Sequence, residues 1–160
     1  MITSRRDYLL RIIDEVGRLL ARVMLKRRAG DKEEALRTVV QACERLFALE
    51  ADKLFQFTPD QHYAMLIADA DPENARNKVL LYAALNAEAG QIYAKLDHDA
   101  MRRASFLNAL RLTLRAHTEF SAENLPSFAP SVAVLRANLE DEPLDLETQA
   151  MLDKVTPPLS

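Results

Sequence analysis

The chain has 160 residues, 49% of them hydrophobic and only three of them glycine, with a formal net charge of -3. That length suits one domain, and the apolar share is too high and the charge too low for a disordered chain. A single cysteine, Cys43, excludes an internal disulfide and a cysteine-based zinc site. Leu and Ala dominate the apolar residues, while the β-branched and aromatic runs that strands prefer are scarce, so helix is the expected structure.

Leu9, Ile12, Ile13, Val16, Leu19, Leu20, Val23 and Met24 recur at three- and four-residue steps. This spacing predicts a helix from about Ser4 to Arg28, capped by Ser4 or Thr3. Ser4-Arg5-Arg6-Asp7-Tyr8-Leu9 has the look of a twin-arginine export motif, but Arg11, Asp14, Glu15, Arg18 and Arg22 interrupt the apolar stretch such a signal needs. No signal peptide and no membrane span are expected, and the cytoplasm is the expected location. Lys26, Arg27 and Arg28 suit the negative end of the helix, and Gly30 suits the left-handed residue that ends it.

Asp31 restarts the chain with Glu34 three residues on, the pattern of a capping box. Leu36, Val39, Val40, Cys43, Leu46 and Phe47 give the second helix its apolar face, with Cys43 as a small core residue. So short a link predicts antiparallel neighbours. Thr58-Pro59-Asp60-Gln61 opens a short third helix to about Ala68, and Asp71-Pro72-Glu73 opens a fourth. Val79, Tyr82, Leu85, Ala89, Ile92 and Leu96 line that fourth helix. A polar break at Asp97-His98-Asp99 precedes a fifth, whose face carries Met101, Ala104, Leu107, Leu110 and Leu114.

Beyond Phe120 come Pro126, Pro130, Pro143, Pro157 and Pro158. Two short helices are predicted there, at about Ser131–Leu139 and Asp145–Val155, in a segment that caps the open end of the array or trails from it. The expected architecture is one all-α domain over 1–160, with a helical array over 1–118 and a Pro-rich, acidic capping segment over 119–160. It holds about five main helices plus one or two short C-terminal ones, arranged as antiparallel hairpins.

Two segments resemble parts of the tetratricopeptide repeat, a helix-turn-helix unit of about 34 residues. Gly30-Asp31-Lys32-Glu33-Glu34-Ala35-Leu36 with Ala42 matches the turn and second helix. Ala89-Gly90-Gln91-Ile92-Tyr93, with Phe106 and Asn108-Ala109-Leu110, matches the first helix and the end of the second. Small residues such as Ala35, Ala42, Gly90 and Ala109 would let helices approach, and Tyr93 and Phe106 would fill the space between them. Asn86 stands where the motif prefers Trp, and Arg102 where it prefers Ala. The first 50 residues are also similar to the start of a family of uncharacterised bacterial proteins. The residues that carry this likeness are Arg6-Asp7-Tyr8-Leu9-Leu10-Arg11-Ile12-Ile13, Leu19-Leu20-Ala21-Arg22 and the stretch Ala29 to Leu36. The resemblance implies a TPR-like α-solenoid or right-handed superhelix and a bacterial source, and it implies no activity.

Motifs for chemistry are missing. His62, His98 and His117 share no helix at metal-ligand spacing, and the glycines, at 17, 30 and 90, make no phosphate loop. His98 between Asp97 and Asp99 reads as a solvated helix start rather than a cation site, and Glu140-Asp141-Glu142 as a solvated acidic turn. No catalytic residue, cofactor or metal is expected, and an enzyme is disfavoured.

Charge is the informative feature. Residues 1–30 hold eight basic and three acidic groups, net +5, whereas residues 119–160 hold eight acidic and two basic groups, net -6. Arg11, Arg18 and Arg22 fall within about 40° on a helical wheel. They form a solvated face with the pairs Asp14–Arg18 and Arg11–Glu15, a dock for the acidic C-terminal segment of the same or a neighbouring chain, or a partner surface. Nucleic acid fits poorly, since no aromatics interleave the arginines.

The leading expectation is a non-enzymatic protein–protein interaction module of TPR-like type. Its protein or peptide partner would be met by Arg11, Arg18 and Arg22, with Asn86 and Arg102. One rival is a small-ligand binder or enzyme with a pocket between the hairpins and the C-terminal segment, with Tyr63, Tyr82, Tyr93 and His117 as its polar groups. The other is a self-associating regulatory dimer whose basic and acidic ends meet.

Overall fold

Eight helices make up the fold of a computed structural model that describes residues 2–140 and 142–155, with side chains from residue 5 onward. Asp141, Pro157 and Pro158 of the sequence reading lie outside the described residues. The helices are α1 (Ile2–Arg28), α2 (Lys32–Phe47), α3 (Ala51–Leu54), α4 (Pro59–Ile67), α5 (Pro72–Lys95), α6 (Asp99–Glu119), α7 (Val132–Ala137) and α8 (Leu146–Val155). No strand occurs among the described residues.

Two antiparallel hairpins dominate, α1 with α2 and α5 with α6. Helix α5 joins them, because it packs on α1, α2, α4 and α6 at once. Its sequence explains this: Val79 to Leu85 are buried without a break, and a helix that is apolar all round must be enclosed. The single-face stripe expected for this helix therefore understates it.

Local signals set most helix ends. Thr58 forms a true capping box with Gln61, and Pro59 takes the first helical position of α4. Asp71, Ser131 and Asp145 each accept from a backbone N–H three residues on. Gly30 adopts a φ of 82°, as its place after α1 requires.

Two expectations fail. Asp31 makes no side-chain cap, since its backbone (φ -86°, ψ 73°) is not the extended conformation of a capping residue. The Glu34 side chain pairs with Lys26 at 3.2 Å and Arg37 at 2.7 Å rather than reaching back. Thr3 and Ser4 lie within α1 rather than ahead of it.

The segment after α6 is held by Arg76 of α5, buried at 4% exposure. Its guanidinium donates to the carbonyls of Ser121, Glu123 and Asn124 at 3.0, 2.8 and 3.2 Å. Phe128 and Ala129 then pack on the main core. Helices α7 and α8 lie against α6, where Leu135 and Leu139 join Phe106, Leu110 and Leu114 in a second apolar cluster. Among the described residues, no helix is long and apolar enough to cross a membrane.

Candidate functional site

Helix α5 has a groove on each side. Tyr82, Asn86, Ala89 and Tyr93 line one of about 650 Å³, walled by α2 and α6. Ala84, Ala87, Glu88 and Gln91 line another of about 880 Å³, walled by α1 and the 127–138 stretch. At about 100° per residue the two sets point in opposite directions.

The α1 groove is apolar within and charged at its rim. Leu10, Ile13, Ala21 and Met24 face Phe128, Pro130 and Val134 across it. Leu10 is 46% exposed and Val134 58%. Arg18 stands on the rim, paired with Asp14 at 2.6 Å, and both are well exposed. Arg11 and Arg22 flank it on the outward face of α1 and are exposed. Neither enters an ion pair among the described residues.

The expected Arg11–Glu15 pair does not form. Glu15 accepts from Arg45 of α2 at 2.5 Å, a bond that also holds the Glu15 carboxyl below its ordinary value. Beneath the groove Arg27 donates to Glu88 at 2.5 Å and so ties α1 to α5.

Among the described residues, no acid of the C-terminal segment forms an ion pair with this stripe. Glu119 meets Arg115 and the Tyr63 hydroxyl, and Glu142 meets Arg103 at 3.6 Å. Asp145 caps α8, and its carboxyl is held low by the Thr148 hydroxyl. These acids are used locally, around α6 and α8.

The α2–α5–α6 groove has walls of Leu36, Val40, Tyr93 and Leu107, with the exposed Phe55 and Met101 also lining it. Its polar groups are linked. Asn108 donates to the Asn86 side chain at 3.0 Å, and Asn86 donates to the Tyr82 carbonyl at 2.8 Å. The Tyr82 hydroxyl meets His62 Nδ1 at 3.3 Å. Burial raises the Tyr82 phenol above its ordinary value and pushes the Cys43 thiol up to about 12. Both groups stay neutral and neither is a nucleophile at neutral pH. Cys43 is thus the core residue its spacing suggests.

The predicted partner residues therefore separate. Arg11, Arg18 and Arg22 share the α1 side, while Asn86 lies in the opposite groove. Arg102 lines neither: it bonds Asp99 at 3.0 Å and donates to the Asn138 carbonyl at 3.0 Å, which fixes α7 to α6. The rival polar set separates as well. Tyr82 and Tyr93 line one groove, between the hairpins. Tyr63 is buried under Arg115, whose guanidinium stands 3.5 Å from its ring centre. His117 is half-buried on α6, outside both grooves.

Sequence reasoning did not find Arg27–Glu88, Arg76 or Arg111. Arg27 reads only as one of the basic residues at the end of the first helix, and the signal of Glu88, Arg76 and Arg111 is no more than a charged residue within a predicted helix. No group of three or more metal-ligating side chains occurs among the described residues. The Asp99 carboxylate beside His98 is engaged by Arg102 and Arg103. Compared with protein-family models, curated proteins and solved structures, the chain matches none.

Proposed function

We propose that this chain is a non-enzymatic interaction module that receives an acidic amphipathic helix of a partner protein in the groove beside α1. The observation that carries the reading is the pairing of an apolar groove with a line of exposed arginines along one edge. Exposed apolar walls that form one continuous trough mark a contact surface, and a helix laid in such a trough buries its apolar face. Arg11, Arg18 and Arg22 supply charge that an acidic flank complements, and Arg11 and Arg22 have no carboxylate within ion-pair distance among the described residues. Stacking of the two hairpins in the TPR manner and a bacterial source belong to the same proposal and rest on the sequence resemblance; a cytoplasmic setting belongs to it as the expectation from the sequence.

The test is selection of amphipathic 16-residue helices from a displayed library on the full chain. Enriched helices should be acidic, weaken with added salt, and bind the Arg11→Glu, Arg18→Glu, Arg22→Glu variant at least about tenfold less tightly. That variant keeps its helical content, since surface pairs such as Asp14–Arg18 are worth only about 0.5 kcal/mol. Enriched helices that bind the triple variant equally well, or no enrichment, would refute the reading.

A further inference from the structure

The groove between α2, α5 and α6 lies on the far side of α5, and the partner-helix reading makes no use of it. We propose that it is a binding site for a small amphipathic monocarboxylate, with the carboxylate on Arg111 and the apolar body along Leu36, Val40, Tyr93 and Leu107.

Its volume of about 650 Å³ falls in the range of small-molecule sites, about 300–1,000 Å³, and its mostly apolar lining with a few convergent polar groups is their usual chemistry. Among the described residues Arg111 is the one charged side chain in the lining. It has no ion-pair partner among them. Its neighbour one turn on differs: Arg115 is taken by Asp60 at 3.3 Å, by Glu119 at 3.7 Å and by the Tyr63 ring. Asp145, which feels the charge of Arg111, is committed elsewhere, accepting from the Thr148 N–H at 3.2 Å and hydroxyl at 2.6 Å.

A half-buried guanidinium facing an apolar trough is a fork with two parallel donors to offer, the geometry a carboxylate matches. Asn108 precedes Arg111 by three residues, so the two stand side by side on α6. Asn108 gives an N–H to Asn86 and stands beside the Tyr82 phenol, so it adds a polar amide to the lining next to Arg111. The other ionisable groups of the lining, Cys43, Tyr82 and Tyr93, are a thiol and two phenols, so no carboxylate there opposes an incoming anion. One cation fits a monoanion. A dianion would be half-compensated, and an ammonium group would meet only repulsion.

Calorimetry and thermal shift on the full chain, with decanoate, 1-decanol and decylamine as probes, test this. Decanoate should bind one to one with a Kd on the order of micromolar and raise Tm. Arg111→Gln should weaken decanoate about tenfold or more and leave decanol unchanged. Ala104→Trp starts from an exposed position on the wall and should block both.

The proposal is overturned by any of three results. Decanoate fails to bind below millimolar, decylamine binds as tightly as decanoate, or Arg111→Gln binds decanoate like the native chain. Arg111-dependent binding of an apolar acidic peptide without decanoate binding overturns it too. If Arg111→Gln misfolds, the comparison of probes on the native chain and the Ala104→Trp variant decide. The α1 triple variant should bind decanoate normally, so failure at one groove is separable from failure at the other.

Discussion

Gly90 of α5 and Phe106 of α6 are fitted to each other: a Cβ on Gly90 would stand 2.9 Å from three ring carbons of Phe106. The ring is 2% exposed and packed in the second apolar cluster, so it must shift to admit a methyl group. Glycine in a helix interior ordinarily costs about 1 kcal/mol against alanine, so Gly90→Ala should stabilise on propensity alone. Overpacking costs about 1–3 kcal/mol, and here it wins. We expect Gly90→Ala to lower stability by about 1–2 kcal/mol, read by urea unfolding. Adding Phe106→Leu should recover part of the loss, so that the double variant falls short of the sum of the single ones. A more stable Gly90→Ala variant would show that α6 can shift freely.

The Arg27–Glu88 pair binds α1 to α5 at 2.5 Å, with the Glu88 side chain 9% exposed and that of Arg27 21%. Removing one partner from a buried pair strands the other charge, at a cost of about 3–5 kcal/mol, whereas replacing both by apolar groups is often nearly neutral. Because Arg27 keeps some solvent, Arg27→Met should cost about 2–4 kcal/mol. The double variant Arg27→Met, Glu88→Met should lie within about 1 kcal/mol of the native chain. Equal destabilisation of single and double variants would mean that packing of the side-chain stems, and not charge, joins the helices.

His117 gives the fold a dependence on pH. Burial, and then the charge of Arg76, hold its imidazole below the ordinary value of 6.5. The unfolded chain therefore takes up this proton at a higher pH than the folded one. Its contribution is complete above about 6.5 and falls as pH drops from there toward the lower folded value. Glu15, Glu34 and Asp145, whose carboxyls are also held low, lose their contributions only at more acid pH. Unfolding measured at pH 5 and pH 7.5 should show a loss on acidification that is smaller in His117→Gln. The same slope in both proteins would exclude His117 as its source.

The long helices were legible because their signals are local. Apolar spacing in Leu9 to Met24 predicts α1, and Thr58-Pro59 and Asp71-Pro72 mark where α4 and α5 begin within a residue. The turn at Ala51–Leu54 was not foreseen: it carries one buried residue, Leu54, and no periodicity can show in four positions. The candidate site was legible only in part. Arg11, Arg18 and Arg22 could be placed on one face because helical geometry alone sets their angles. Which groove Asn86 enters, and that Arg102 serves α7, depend on how α5, α6 and the 127–138 stretch meet in space. Charges at the interfaces mislead for the same reason. Glu15 finds Arg45, thirty residues away, rather than Arg11 on its own helix.

At the floor of the α2–α5–α6 groove, a backbone carbonyl and a phenol hydroxyl hold a buried ring from its two nitrogens. His62 Nε2 lies 2.7 Å from the Leu54 carbonyl, which can only accept, so Nε2 carries the proton. In the neutral ring Nδ1 is then an acceptor, and the Tyr82 hydroxyl donates to it at 3.3 Å. His62 and Tyr82 are 6% and 5% exposed, so water does not readily replace either group. Phe47 packs edge-on against Tyr82 and encloses the pair. Tyr82→Phe keeps that packing but leaves Nδ1 without a donor, a loss of about 1–2 kcal/mol. In a chain of this size that lowers Tm by about 2–8 °C. Nitrogen chemical shifts of the histidine ring should report the Nε2–H form in the native chain. An unchanged Tm in Tyr82→Phe, or an Nδ1–H ring in the native protein, would show that the hydroxyl does not hold His62.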